Sequence, residues 1–253
     1  MALITIKAHT VPEYEDYLES YVGRAVLGAT FLHHCWKPNA ADFRGLTTME
    51  GVRRAQMSRP RDPASDIMCN CYAGSDGLVY NARPPTTNNC ACQYPDTAPE
   101  HWPSALRKLS SDDPHWMNKY GFSVETVGCF DWDHPGAPRS EDPTTSLAMR
   151  TSLDVLAIVH RLFHIPVDHC FFHRDVSTKT CPGERVSKAW VHAEIARRMN
   201  MPDVSPWAKP AVDWAREKGL MVGEPDGLFH GTAPVTREQL AVVLKRLDDQ
   251  KQN

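Results

Sequence analysis

Between residues 13 and 25 the apolar positions Tyr14, Tyr17, Leu18, Tyr21 and Val22 fall three and four apart, which predicts an amphipathic helix packed on a sheet edge. The pattern then changes. Residues 27 to 35 form a nearly continuous apolar run ending in two histidines, as expected for a buried strand. Residues 48 to 57 return to helical spacing, and 67 to 72 and 78 to 81 predict strands joined through the turn signal Ser75-Asp76-Gly77. From 84 to 118 Pro, Asn, Ser and Asp dominate, so this stretch reads as a long irregular insertion near a cleft, uncommon in compact domains unless functional. Asp142-Pro143 predicts a helix start, followed by the apolar stripe Leu147, Leu153, Leu156, Val159, Leu162 and Phe163. Residues 169 to 173 predict a short strand and 185 to 199 a closing helix. Strands interleaved with helices imply an α/β fold, a mixed central β-sheet flanked by helices.

After residue 200 the character changes. Residues 203 to 247 read as two amphipathic helices around a Gly-rich turn, with Trp207 and Trp214 two turns apart on one face. The expected organisation is therefore one α/β unit over residues 1–200 and a small all-α module over 201–253. A chain of 253 residues accommodates one domain of ordinary size plus such an appendage.

Charge and composition narrow the function classes. Against 31 acidic side chains stand 28 basic ones, and a net charge of -3 gives no reason to propose nucleic acid as a partner. No apolar run approaches the roughly 20 residues needed to cross a membrane. The N-terminal MALITIKAHTVPEYEDY has no basic n-region, long apolar core or small-residue cleavage site. The expectation is a protein made in the bacterial cytoplasm without a Sec signal peptide, acting elsewhere after release.

The chemistry concentrates in FHRDVSTKTCPG, residues 172 to 183, where a His and a Cys eight apart flank a Lys. Its partner is FLHHC at 31 to 35. Imidazole and thiolate are both good zinc donors, and two His with one Cys would leave a fourth position for water. Neighbouring strand residues face opposite sides, so only one of His33 and His34 reaches a metal easily. Eight cysteines are present. Cys35, Cys129 and Cys170 read as buried thiols, whereas Cys69/Cys71 and Cys90/Cys92 share the i, i+2 spacing of a strand face, which suits a second metal site or disulfides.

Further landmarks lie between these segments, at Ser65 to Tyr72, Asp76-Gly77, Ala82-Arg83-Pro84 and Phe122 to Gly128. In this order the sequence resembles the zinc-dependent N-acetylmuramoyl-L-alanine amidases, the type 2 amidase family that includes phage endolysins and peptidoglycan recognition proteins. The resemblance covers about residues 27 to 198. It implies the type 2 amidase fold, a strand over 122 to 128, and zinc held by His33, His173 and Cys181. The alternative, His34 as ligand with His33 in the core, stays open. It further implies Glu125 as general base, Lys179 as the cation for the oxyanion, and a substrate rim that includes Tyr72 and Arg83. Arg174 and Asp175 read as structural, fixing the loop between ligands or supporting His173 from behind. Many members have Gly-Tyr where this chain has Met68-Cys69, so either Glu125 and Lys179 suffice or Tyr72 supplies the missing phenol.

Residues 203 to 247 resemble a single S-layer homology module through Trp207, Ala211, Trp214, Gly219-Leu220, Gly223, Pro225-Asp226-Gly227, Phe229 and Val235-Thr236-Arg237-Glu238. Trp207, Trp214 and Arg237 are its expected contacts to an anionic cell-wall polysaccharide; the other reading is that the aromatics merely pack the helices together. The whole then implies an endolysin-like peptidoglycan hydrolase that cuts the amide between N-acetylmuramic acid and L-alanine. Two alternatives remain, a binding protein that holds muropeptide without cutting it and a cytosolic recycling amidase, which has no use for a wall-binding module.

Overall fold

The structure is a computed structural model and describes residues 3–58, 66–89, 96–113, 115–133, 138–200, 204, 207–223, 229, 231 and 235–251. At its centre is a six-stranded sheet in the order β1-β4-β3-β5-β2-β6, formed by β1 (Ala8–His9), β2 (Ala29–His34), β3 (Cys71–Ala73), β4 (Val79–Asn81), β5 (Gly121–Thr126) and β6 (Cys170–Phe172). Strands β3, β5, β2 and β6 run parallel, while β4 pairs antiparallel with β1 and β3. The sheet is mixed, as expected. Its parallel strands are covered on both faces, which is why the run through β2 is apolar without alternation.

Alternation along β2 decides what each face carries. Leu32, with Val124, Phe122 and Phe172 beside it, packs beneath α1 (Val11–Glu19), α5 (Leu147–Leu162) and α6 (Lys188–Asn200). Ala29, Phe31 and Phe171 face the other way, under Trp102, Leu106 and Met117. In the central helix α5 every residue from Ala148 through His160 except Arg150 is buried, so it reads apolar on most of its circumference. Helix α1 is shorter than its sequence pattern suggests. It buries Val11, Tyr14 and Leu18, begins with a capping box between Thr10 and Glu13, and ends before Val22, which is exposed.

Several boundaries differ from expectation for physical reasons. Residues 67–70 are not strand: backbone bonds from Asn70 N–H to Ser123 O and from Arg83 N–H to Cys69 O persist there, and side chains supply the other partners. Ser123 N–H donates to Asn70 Oδ1 at 2.8 Å, Asn70 Nδ2 donates to Arg83 O at 3.1 Å, and Arg83 Nε donates to Ile67 O at 2.6 Å. Asp142-Pro143 does not start α5. Asp142 Oδ1 accepts from Thr144 N–H in a local turn, and Ser146 caps the helix instead, accepting from Met149 N–H at 3.4 Å.

The insertion is not simply irregular. It folds into α3 (Ser104–Ser110) and α4 (Trp116–Tyr120), whose Leu106 and Met117 cover β2 and β6. The strands expected at 78–81 and 169–173 match β4 and β6, and α2 (Leu46–Met57) lies where the spacing places it. In the C-terminal part, α7 (Lys209–Glu217) and α8 (Arg237–Lys251) are both helical, but Trp207 precedes α7 and so does not share a helical face with Trp214. Among the described residues no helix is long and apolar enough to cross a membrane.

Candidate metal centre

Parallel register brings the chemistry together at the C-terminal ends of the strands. His33 pairs with Glu125 across β2 and β5, and Glu125 pairs with Tyr72 across β5 and β3. Three side chains from distant parts of the sequence therefore stand in one row on the same face. Leu32 pairs with Phe172, so the residue after Phe172, His173, comes alongside His33, with ring centroids 4.9 Å apart. Cys181 closes the group. Its Sγ is 3.7 Å from His33 Nδ1, and the donor atoms of His33, His173 and Cys181 all lie within 4.8 Å of one another.

His33 and His34 have different surroundings, and His33 is the one grouped with His173 and Cys181. His34 lies on the opposite face, its ring stacked on Phe130, and its Nδ1 accepts from Phe130 N–H at 3.3 Å. Its Nε2 then carries the proton and faces Asp131 at 3.9 Å. What His34 lends to the group is its backbone: its N–H donates to Cys181 Sγ at 3.4 Å, which favours a charged sulfur there.

The three donors fit a soft divalent ion. Metal binding requires neutral imidazoles. Burial, then the charges of His173, His34 and Lys179, holds His33 well below its ordinary value, and burial and Lys179 push His173 down to about 4. A His2Cys set with a cavity in front of it is the donor chemistry of an open zinc site.

The loop carrying Cys181 is fixed from beneath. Arg174 Nη1 donates to Gly183 O at 2.6 Å, Arg174 N–H donates to Cys181 O at 2.8 Å, and its guanidinium lies over the Phe172 ring. Asp175 accepts from Phe172 N–H and pairs with Lys188. Both residues are structural, as their sequence context suggests. Gly183 is required by close approach: at φ 117° a Cβ would meet Phe130 backbone at 2.6 Å.

A cavity of about 660 Å³ opens over the donors. His33, His34, Trp36, Cys69, Tyr72, Glu125, Asp131, His173, Lys179 and Cys181 are among the residues lining it. Glu125 Oε2 accepts from Cys69 Sγ at 3.2 Å. Tyr72 is 1% exposed, and its hydroxyl accepts from Gln56 Nε2 at 2.9 Å, so its own proton remains available to donate. Burial pushes the Cys35 thiol up, with Glu125 the next cause.

Some candidates are not gathered here. Arg83 is buried and does not line the cavity; its Nε and Nη1 are bonded to Ile67 O and Asn88 O, which makes it a strut of the neighbouring loops. Cys69 and Cys71 are not joined in a disulfide and do not share a face: Cys69 meets Glu125 while Cys71 packs with Tyr14 in the opposite core. Cys90, Cys92, Ser65 and Pro225-Asp226-Gly227 lie outside the described residues. Trp207 is 86% exposed, Trp214 half-exposed and Arg237 exposed, all in the C-terminal part.

Two contributors escaped sequence reading. Asp96, inside the insertion, accepts from Thr178 N–H at 2.6 Å and from its hydroxyl at 3.0 Å, so it pins the loop that presents Lys179. Gln56 on α2 fixes both Tyr72 and Met68 N–H. Neither has a sequence signal apart from its polarity.

Comparison with known proteins gives two kinds of likeness. The family model of the S-layer homology domain matches residues 201–241. Over 44 residues the chain is 46% identical to the outer membrane protein SlpA of Deinococcus radiodurans, a match spanning 17% of this chain and 4% of that protein. Similar solved structures include Drosophila peptidoglycan recognition protein SD, at 18% identity over 71% of this chain and 83% of that one, with a TM-score of 0.43. Drosophila peptidoglycan recognition protein LB matches at 16% identity over 72% and 87%, with a TM-score of 0.41. PlyL matches at 16% identity over 70% and 87%, also at 0.41.

Proposed function

We propose that this chain is a zinc-dependent peptidoglycan hydrolase that cleaves the amide between N-acetylmuramic acid and L-alanine. The observation that carries the reading is the convergence of His33, His173 and Cys181 within 4.8 Å in a cavity that Glu125 and Lys179 also line. Zinc held by these donors supplies Lewis acidity, polarising a carbonyl and making water acidic enough to attack near neutral pH.

The chain's own groups do the rest. Glu125, the cross-strand neighbour of His33, takes the proton from the attacking water and returns it to the leaving amine of alanine. Lys179 sets its ammonium against the developing oxyanion, and Asp96 holds the loop that aims it. Tyr72 is placed to donate a hydrogen bond from the cavity base. The cavity's low exposure at His33 and Tyr72 keeps competing water from those contacts.

Residues 1–200 form the catalytic unit in this reading, and 201–253 tether it to an anionic cell-wall polymer through exposed Trp207, Trp214 and Arg237. The S-layer homology match supports that assignment. The site of action is the wall, reached after release from the cytoplasm. Mass spectrometry of fragments released from purified sacculi tests the reaction: a new free amino terminus on L-alanine supports it. Saturable binding of sacculi with no new amino terminus would instead indicate a recognition protein.

A further inference from the structure

Trp36 occupies an unusual position. It follows the strand that delivers His33 and His34, lines the same cavity and is 41% exposed. Its backbone sits at φ 58°, in the left-handed region that a bulky side chain rarely adopts. The conformation is locked by its N–H donating to Gly128 O at 3.0 Å. Both features are unfavourable in themselves. A bulky non-glycine residue in that region persists only where the surrounding structure enforces it, and such residues cluster at ligand sites.

The neighbouring exposed tryptophan provides a contrast. Trp132 is 59% exposed, yet it does not line the cavity, and the Arg185 guanidinium lies over its ring at 5.2 Å. Trp132 is thus already stacked. Among the described residues no ring or cation contact involves Trp36.

From this placement we infer that Trp36 is a carbohydrate platform, stacking against the pyranose ring on the sugar side of the scissile bond. The inference rests on the muramyl amide being the substrate. Of the two halves of that substrate, the peptide stem offers small and charged side chains, whereas the sugar offers a broad face of C–H groups. Only the sugar half matches a flat, wide, apolar indole. Of the other exposed residues lining the cavity, Ala55 is small, whereas Lys37, Lys179 and Thr180 are polar and suit the hydroxyl, amide and carboxylate groups around such a ring.

The test uses the full chain labelled with 5-fluorotryptophan, the Trp36 fluorine signal being assigned from Trp36→Phe. The probes are the disaccharide of N-acetylglucosamine and N-acetylmuramic acid without peptide, and separately the free stem peptide. The expected result is a saturable shift of the Trp36 signal with the disaccharide and none with the peptide. Trp36→Ala should also raise KM for muramyl peptide about tenfold at nearly constant kcat, with Trp36→Phe recovering most of the loss and Trp132→Ala changing neither. A Trp36 signal that ignores the disaccharide, or follows only the peptide, overturns the inference even if the enzyme cleaves normally. Binding of the disaccharide at Trp36 by a protein that cuts nothing would keep the platform and reject the hydrolase reading.

Discussion

Cys69 Sγ donates a hydrogen bond to Glu125 Oε2 across 3.2 Å, from a loop that is not part of the sheet to a carboxylate that is. The thiol holds the carboxylate beside the His33, His173 and Cys181 cluster. Cys69→Ser should keep the donor and most of kcat, whereas Cys69→Ala should lower kcat by about tenfold with metal content and KM unchanged. Steady-state kinetics on a soluble muramyl peptide, with thermal unfolding as the check on stability, measures this. Equal kcat in the Ser and Ala variants would reduce Cys69 to packing.

Glu125 and Lys179 are expected to act in the transition state rather than in folding. Glu125→Gln and Lys179→Met should each retain zinc and the wild-type Tm while losing turnover by roughly two orders of magnitude or more. A fully active Glu125→Gln would make the carboxylate structural and leave the base to be sought elsewhere; Tyr72, the register neighbour of Glu125, is kept protonated by burial and would remain a donor.

Acid should weaken the fold through His160. Its Nδ1 donates to Ile165 O at 3.0 Å, so its Nε2 accepts from the Thr30 hydroxyl at 2.8 Å and the ring is held neutral. Burial pushes its pKa down to about 4, below the 6.5 of an exposed histidine. A depressed histidine contributes stability that is present above 6.5 and is lost as pH falls towards 4, here at most about 3 kcal/mol. Denaturant titrations between those limits should show a shallower pH slope for His160→Gln than for wild type. Identical slopes would contradict the assignment.

The two parts of the chain should be separable. A chain ending at Asn200 should still bind zinc and cleave soluble muramyl peptides, but bind intact sacculi more weakly, because a second tethered contact raises effective concentration at the wall. Sacculus pull-down measures the difference. Unchanged binding would reject a tethering role for Trp207, Trp214 and Arg237.

Much of this was legible in the residues, and the failures have a common origin. The His and Cys donors could be nominated from residue type and spacing, while the choice of His33 and the roles of Glu125, Lys179 and Tyr72 came from the resemblance to type 2 amidases; the structure brings His33, His173, Cys181, Glu125, Lys179 and Tyr72 to one cavity. Arg83 could not be separated from a substrate contact, since its sequence context is a loop motif and only the fold reveals its bonds to Ile67 O and Asn88 O. The apolar run at 67–70 imitates a strand, but Asn70 and Arg83 supply side-chain bonds that periodicity does not register. The same holds for Asp142, whose side chain makes a turn four residues before Ser146 caps α5. Asp96 and Gln56 were invisible because positioning through a long-range hydrogen bond leaves no local pattern.

The most direct measurement follows the products of purified sacculi by mass spectrometry in three samples of the same preparation: as isolated, after chelation, and after chelation with zinc restored. The account predicts fragments with a free amino terminus on L-alanine in the first and third samples and none in the second, with His33→Ala, His173→Ala and Cys181→Ala behaving as the chelated enzyme throughout. Undiminished release of those fragments from the zinc-free sample, or fragments cut at any other bond, would contradict it.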